Sequence, residues 1–197
     1  PHHQGDAPVK EAGALIGKGA LELAQMAYSS SLLEAAIGMA TINSLLEVDE
    51  QRCFSLNASD LLAEKGQGKK VVLIGHFPFV PKLRQVVKEL WVLEQHPQEG
   101  DFAESEAKSL VPQADVVGIT GTAFTNHTIE HLLNLCSAEA YVVILGGTAP
   151  LSPVVFDYGV DAISGTRVVD IEAVLQCVSQ GATFRQLRGI RLLTMKR

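Results

Sequence analysis

The sequence has few of the features that mark several large protein classes. It contains only three cysteines in 197 residues, Cys53, Cys136 and Cys177, and they are far apart. This pattern offers no disulfide framework and no CxxC metal knuckle, and it predicts reduced thiols in a cytoplasmic protein. No apolar run reaches the roughly 20 residues that a membrane-spanning helix needs. We therefore expect neither a disulfide-rich secreted domain nor a membrane partner.

Positive charge is also scarce. The chain has 16 basic and 22 acidic residues, a formal net charge of −6 at pH 7. A general nucleic-acid binder would carry a basic stripe, so we expect no nucleic-acid partner. Apolar residues make up 47% of the chain and charged residues 19%, which is enough to build a substantial core. The opening segment has no apolar periodicity, and we give its His2 and His3 little weight as ligands.

Residues 1–66 are predicted to be mostly helical. Ser31 followed by Glu34 has the spacing of a capping box, which places a helix start at that point. The predicted helices are 11–28, 31–47 and 59–64. Charged and glycine-bearing residues 64–70 then form the expected domain boundary, which divides the chain into 1–66 and 67–197.

From Lys70 onward, apolar strand-like runs alternate with helical patterns. Strands rich in Val, Ile and Leu without polar alternation are typical of a parallel sheet covered on both faces. The predicted strands are 70–75, 90–94, 115–120, 141–146 and 161–164, with an edge strand at 190–195. The predicted helices are 79–89, 103–110, 126–137 and 170–179. This order predicts an α/β fold with a doubly wound, mostly parallel sheet.

Small and polar residues follow the predicted strands. Ligands of open α/β sheets bind beyond the carboxyl ends of the strands, near the point where the strand order reverses. Any one such loop is equally explained by caps and tight turns, but several on one rim favour a site. The segments concerned are Gly75–Pro78, Glu94, Thr120–Asn126, Gly146–Pro150 and Ser164–Thr166.

The first of these segments, GHFP, departs from a dinucleotide-binding loop. Phe77 and Val80 stand where the GxGxxG fingerprint has its later glycines, and Phe77 with Pro78 would obstruct a pyrophosphate. Glu94 does lie 19 positions after Gly75, near the offset of a ribose-binding acid. His76 offers a group that titrates, ligates a metal or donates to an anion, and with Glu94 it could form an acid–base or metal-binding pair. A purely structural role in the turn explains His76 equally well.

The segment His127–His131 spells HxxEH, the inverted zinc-protease motif. With Asn126 as an N-cap, His127, Glu130 and His131 would share the solvated face of a surface helix, and we favour that reading over a zinc site. Asn43 and Asn57 either face an interdomain cleft or satisfy local backbone, and the sequence leaves both open.

Several of these segments together resemble the putative heavy-metal chelation domain family. They are VVLIGHFP, VLE with a following Pro, ADVVGITGTAFTNHTIEHLL and ILGGTAPLSPVVFDYGVDAISGTRVVD, and the resemblance covers roughly residues 57–197. It implies a Rossmann-like domain preceded by an enolase N-terminal-like domain, of which 1–66 hold the helical end, with a site in the cleft between them. The residues it carries over are Gly75, His76, Phe77, Pro78, Glu94, Thr120, Gly121, Thr122, Asn126, Thr128, Thr148 and Pro150. The chain departs from the family where Gly146-Gly147-Thr148 stands in place of Gly-Pro-Ser/Thr.

The leading hypothesis is a protein that binds a small ligand, anionic or metal-associated, at this rim. His76 and Glu94 would hold a transition-metal ion or the polar part of the ligand. Residues 120–122 and 146–148 would supply hydroxyl and backbone donors. One alternative is an enzyme that binds a nucleotide-like cofactor, with Glu94 at a ribose hydroxyl. Another is a non-catalytic module that forms a homodimer through the small residues of helix 31–47.

Overall fold

The computed structural model describes residues 8–197, so His2 and His3 lie outside the described residues. The strands are β1 (Cys53–Phe54), β2 (Lys70–Ile74), β3 (Glu89–Glu94), β4 (Phe102–Ala103), β5 (Val116–Thr120), β6 (Tyr141–Leu145), β7 (Ala162–Val168) and β8 (Ile190–Lys196). The α-helices are α1 (Ala20–Ala24), α2 (Leu32–Leu45), α3 (Ala58–Gly66), α4 (Val80–Leu83), α5 (Ala107–Leu110), α6 (Thr122–Thr125), α7 (Ile129–Leu135) and α8 (Ile171–Ser179).

The strands form one eight-stranded sheet in the order β1-β8-β7-β6-β5-β2-β3-β4. All pairings from β7 to β4 are parallel, whereas β8 is antiparallel to both β7 and β1. The expected Rossmann-like α/β fold with a mostly parallel sheet is therefore confirmed. The chain runs outward from β2 through β3 to β4 and then crosses to β5 on the other side of β2. The strand order therefore reverses between β2 and β5.

The central strands are buried on both faces, as their unbroken apolar runs predict. Val72 and Ile74 of β2 point into one core layer, and Val71 and Leu73 point into the other. Successive side chains of a strand face opposite sides, so an apolar residue is needed at every position of such a strand.

The sequence suggested an edge strand at 190–195, but β8 lies between β1 and β7 in the sheet. β8 pairs with β7 along its whole length, and the two residues of β1 pair with its far side. The hydroxyl of Thr194 on β8 lies 2.7 Å from Ser164 Oγ and donates to the carbonyl of Leu56 at 2.7 Å. This buried link ties the segment before α3 to the sheet.

The N-terminal segment is less helical than expected. The predicted helix 11–28 reduces to α1 and a 3₁₀ turn at Gln25–Tyr28. Gly13 and Gly17 adopt φ values of 92° and 97°, which lie outside the helical region and interrupt the predicted helix. By contrast, α2 lies close to the predicted 31–47, and the Ser31 hydroxyl accepts a hydrogen bond from the Glu34 N–H.

The helix α3 packs on the sheet. Leu61 and Leu62 are fully buried in the same core layer as Val71 and Leu73. β1 and α3 therefore both contact the sheet, and the division of the chain into 1–66 and 67–197 stays a prediction. In residues 8–197, no helix is both long enough and apolar enough to cross a membrane.

Candidate functional site

A crevice lies where the strand order reverses, at the carboxyl ends of β2, β3 and β5. Its volume is about 180 Å³. Open α/β sheets bind their ligands at this position, because the loops of neighbouring strands diverge there. It is lined by Ile74, Gly75, His76, Phe77, Leu93, Glu94, Gln95, Glu104, Thr120, Thr122, Asn126 and Thr128.

Gly75 makes the turn out of β2. Its φ of 102° is strained for any residue with a Cβ, and an added Cβ would lie 3.2 Å from Thr120 Cβ on the neighbouring strand. Its N–H donates to the Leu93 carbonyl at 2.9 Å. Glycine here lets the chain turn sharply between two strands, so that the next residue, His76, enters the crevice.

Glu94 at the end of β3 closes one side of the crevice. One carboxylate oxygen accepts from the His76 N–H at 2.8 Å and the other from the Gln95 N–H at 2.9 Å. The carboxylate thus holds the β2 turn in place, and it remains on the crevice wall.

The His76 ring is held by a residue that the sequence analysis missed. Its Nδ1 atom lies 2.8 Å from Asp101 Oδ2 and 3.1 Å from Asp101 Oδ1. The Asp101 side chain is 1% exposed and that of His76 27%. The carboxylate is therefore buried behind an imidazole that reaches the crevice.

Asp101 is positioned by a tight turn. Its N–H donates to the Gln98 carbonyl at 3.0 Å, and its Oδ2 accepts from the Gln98 N–H at 3.1 Å. Gly100 is the third residue of the turn and has a φ of 88°, the position and sign that favour glycine in a type II turn. The sequence signal was the Glu-Gly-Asp run after β3, but the pairing with His76 spans 25 positions.

Hydroxyl and amide groups form the β5 side of the crevice. Thr120 Oγ1 and Thr122 Oγ1 are 3.0 Å apart. The Asn126 side-chain oxygen accepts from both the N–H and the hydroxyl of Thr128, at 3.3 Å and 2.7 Å. The N-cap of α7 is Thr128, so the expected capping role of Asn126 is wrong: it supports the loop before the helix.

The backbone N–H groups of this rim are largely engaged within the protein. Those of Gly75 and Gly121 donate to the neighbouring strands β3 and β6, and that of His76 donates to Glu94. The Thr122 N–H bonds Thr120 Oγ1, and the Gly146 N–H bonds the Ser164 carbonyl. These five N–H groups are therefore not free to bind an anion, whereas the donor role expected of Gly147 and Thr148 stays a prediction.

The charge of the crevice is negative. Glu94 and Glu104 line it, and the described residues around it include no Lys or Arg. An anion would meet two carboxylates without a compensating cation, which is unfavourable in a partly enclosed space. The lining thus favours a cationic or metal-associated ligand over an anionic one.

The described residues do not form a closed metal site. Within residues 8–197, no three His, Cys, Asp or Glu side chains are grouped so that they could hold a metal ion. Nδ1 of His76 is bonded to Asp101, which leaves Nε2 as the ring atom available to an incoming group. This donor set does not fit chelation of a bare ion by this part of the chain alone.

The other predicted residues lie apart from the crevice lining. Pro78, Gly121, Gly146, Gly147 and Thr148 are adjacent to it in sequence or support its walls, but they do not line it. A Cβ on Gly121 would lie 2.4 Å from the Ala149 backbone nitrogen, so Gly121 lets the β5 and β6 loops touch.

The two asparagines have separate roles. Asn43 on α2 donates through Nδ2 to the Thr148 carbonyl at 3.1 Å, which ties the N-terminal segment to the β6 loop. Asn57 caps α3 by accepting from the Ser59 N–H at 3.1 Å. Asn43 thus contacts the β6 loop on the same rim of the sheet as the crevice, and Asn57 satisfies local backbone.

The HxxEH segment does not present one helical face. His127 precedes α7, has a φ of 60°, and its Nε2 lies 2.8 Å from the Ser29 carbonyl. Glu130 and His131 are exposed on the helix. The zinc-protease reading is therefore not supported, and His127 links the loop to the N-terminal segment.

A larger, open concavity of about 800 Å³ lies between residues 10 and 34 of the N-terminal segment. One of its lysines already pairs with two of its carboxylates: Lys18 contacts Glu11 at 2.5 Å and Glu22 at 2.6 Å. Its walls come from residues 10–34 and include no strand end, so we do not assign the site there.

Known proteins with similar sequences and structures support the α/β fold and relate the chain to a protein family. The chain matches a family model described as putative heavy-metal chelation over residues 57–196, and a second model with the same description over residues 2–46. An uncharacterized protein of Methanocaldococcus jannaschii is 27% identical over 171 residues, covering 81% of this chain and 64% of that protein. The chain therefore spans less than two thirds of the length of this relative.

Two solved structures share the fold. A DUF364-family protein of unknown function from Desulfitobacterium hafniense has a TM-score of 0.81 and 25% identity, covering 98% of this chain and 80% of that one. A DUF364-family protein from Pyrococcus horikoshii has a TM-score of 0.79 and 20% identity, covering 93% and 77%.

Proposed function

Because this chain belongs to the putative heavy-metal chelation family, we propose that it binds a small ligand with a positively charged centre in the crevice between β2 and β5. The centre is either a metal ion that brings some of its own ligands or an organic cation. Glu94 and Glu104 supply negative charge, His76 supplies an acceptor atom, and Thr120 and Thr122 supply hydroxyls. The observation that carries the proposal is the charge of the crevice lining.

Two features support a metal-associated ligand over a bare ion. The crevice brings one imidazole and two carboxylates to its wall, and these are groups that bind metal ions. They are not grouped closely enough to complete a coordination sphere. A metal that arrives with other ligands attached needs only one or two donors from the protein.

The nucleotide alternative has less support. Pockets for drug-sized ligands have volumes of about 300–1,000 Å³, whereas this crevice has about 180 Å³. Both oxygens of Glu94 already accept backbone N–H groups, so a ribose hydroxyl would have to share them. These observations favour a compact ligand.

The dimerisation alternative loses part of its motivation. A Cβ on Gly38 of α2 would lie 2.0 Å from the Ala27 nitrogen, so this small residue serves a contact within the chain. Ala36 and Ala40 are exposed on the same helix. A homodimer stays a prediction that sedimentation at high concentration can test.

Calorimetry with separate probes tests the proposed function. We would titrate Ni²⁺, Zn²⁺, a small alkylammonium ion and inorganic phosphate into the wild-type protein and into Glu94→Gln and Glu104→Gln. At least one cation should bind, and phosphate should not. At an effective dielectric constant of about 20 and a separation of about 8 Å, each carboxylate contributes at most about 2 kcal/mol, or about 30-fold in affinity, for the singly charged alkylammonium ion, and at most about 4 kcal/mol for Ni²⁺ or Zn²⁺.

The exposed Glu172 on α8 provides the control, since Glu172→Gln removes the same charge away from the crevice. Phosphate binding without cation binding would contradict the proposal, as would unchanged cation affinity in both crevice variants. If the cation is a metal ion, His76→Ala should also lower the affinity for that ion. If wild type and His76→Ala bind the metal ion equally, only the organic cation remains as the proposed ligand.

A further inference from the structure

We propose that Asp101 is a positioning residue that fixes the tautomer of His76, so that Nε2 faces the crevice as an acceptor. The ligand must then present a cationic centre or a hydrogen-bond donor at this point, and not an acceptor. The ligand part of this inference rests on the proposed function, whereas the tautomer can be measured without any ligand.

The contact with Asp101 requires Nδ1 of a neutral His76 to be the hydrogen-bond donor. A carboxylate only accepts hydrogen bonds, so Nδ1, at 2.8 Å from Asp101 Oδ2, carries the proton of a neutral His76 ring. A neutral imidazole has one donor and one acceptor nitrogen, so Nε2 then carries the lone pair. Among the described residues Nε2 has no hydrogen-bond partner, and His76 lines the crevice.

The Asp101 carboxylate is itself held in place, so it can fix the orientation of the His76 ring. The Asp101 side chain is almost fully buried and is oriented by the Gln98 N–H. A buried carboxylate that fixes the ring and tautomer of a histidine is the usual outer partner of metal-binding and catalytic histidines. The carboxylate comes from the loop after β3 and the imidazole from the loop after β2, so the pair joins two loops of the rim.

The specificity follows from the lone pair. An acceptor at Nε2, together with the carboxylates of Glu94 and Glu104, presents three acceptor groups to the crevice. A phosphate or carboxylate ligand would meet only repulsion from these groups. An ammonium group or a metal-associated ligand would meet negative charge at the two carboxylates and a lone pair at Nε2.

The first experiment measures the tautomer by long-range ¹H–¹⁵N correlation of the histidine side chains at a pH where His76 is neutral. We expect wild-type His76 to be protonated at Nδ1. Asp101→Ala removes the acceptor, and Asp101→Asn replaces the charge with a neutral amide whose NH₂ group competes at Nδ1. The Nδ1–H form should therefore fall in both variants.

The exposed His131 serves as the internal control, and its signals should not change. A merely structural role for Asp101 would alter stability without a change in the His76 tautomer. The inference is overturned if wild-type His76 carries its proton on Nε2, or if both Asp101 variants keep the wild-type tautomer.

The second experiment measures the ligand consequence with the cation that binds wild type in the titrations above. Loss of such an outer partner lowers metal affinity or activity by about 10- to 100-fold, and we expect a fall of that size in Asp101→Asn. Unchanged affinity in this variant would overturn the positioning role. If no cation binds wild type but the tautomer is as expected, the proposed function and the ligand half of the inference fail, and the tautomer half stands.

Discussion

The substitution Gly121→Ala tests how the crevice loops are packed. Gly121 has an ordinary φ of −61°, so any residue could adopt its backbone conformation. The added Cβ, however, would lie 2.4 Å from Ala149 N, 2.8 Å from Ala149 Cα and 2.8 Å from Thr148 C. All three atoms are backbone, so a side-chain rotation cannot relieve the contact, and the β5 and β6 loops must separate.

Overpacking of this kind costs about 1–3 kcal/mol, and contact with backbone on both residues favours the upper end. At about 2–4 °C per kcal/mol for a chain of this size, we expect a fall in Tm of about 6–12 °C. Urea unfolding followed by circular dichroism and a thermal scan would measure both quantities.

Gly181→Ala is the matched control, because it isolates backbone strain. Gly181 has a φ of 74° and nothing within 4 Å of an added Cβ, so the same substitution costs only the strain of that conformation, about 1–2 kcal/mol. Gly121→Ala should be the more destabilising of the two despite its ordinary φ. A loss below about 1 kcal/mol at Gly121, or a larger loss at Gly181, would refute the packing argument.

Three further predictions concern the turn at Gly100, the sheet at Thr194 and the partly buried thiol of Cys136. Gly100→Ala should lower the free energy of unfolding by about 1–2 kcal/mol, since the φ of Gly100 is 88° and no atom lies within 4 Å of an added Cβ. The same substitution should lower the Nδ1–H fraction of His76 in the ¹⁵N spectrum. An unchanged spectrum would argue against the turn as the support of Asp101. Thr194→Val should lower the free energy of unfolding by about 1–3 kcal/mol, because it removes the 2.7 Å hydrogen bonds of the Thr194 hydroxyl to the buried Ser164 hydroxyl and to the partly buried Leu56 carbonyl. An unchanged urea-unfolding free energy would contradict this. Burial raises the pKa of the Cys136 thiol from 9.0 to about 11, so the folded state holds this proton more tightly than the unfolded state. The resulting stability is complete below pH 9 and is lost as the pH rises towards 11; Cys136→Ala should flatten the decline of the unfolding free energy across that window, and an equal decline in both proteins would refute it.

Much of the fold followed from local pattern. Continuous apolar runs such as Val71–Ile74 are required wherever a parallel strand is covered on both faces, so five central strands were located to within a few residues. The start of helix α2 was located by its Ser31 cap. Capping is also a local signal, because it depends on residues three positions apart. The N-terminal helix was overextended because apolar spacing alone does not show that Gly13 and Gly17 adopt positive φ.

The candidate site was predictable in place but not in composition. The sequence identified His76 and Glu94, because both directly follow strands whose ends must share one edge of the sheet. It did not identify Asp101 or Glu104, because the short β4 and the turn before it have no periodicity that reveals their path. That these residues join one crevice depends on the order β5-β2-β3-β4, which is a property of the assembled sheet.

The sequence by itself determined the alternation of strands and helices, the loops that carry polar residues and the departure of GHFP from a dinucleotide loop. These features depend on residues a few positions apart, because backbone sterics and the alternation of side chains determine local structure. Only the tertiary structure decided the charge of the crevice and the pairing of His76 with Asp101. Both depend on side chains that are 18 to 28 positions from His76 in the chain and meet only when β2, β3 and β4 pair. It also showed that the N–H groups of Gly75, Gly121 and Gly146 are engaged, because hydrogen bonds between strands form only in the folded sheet.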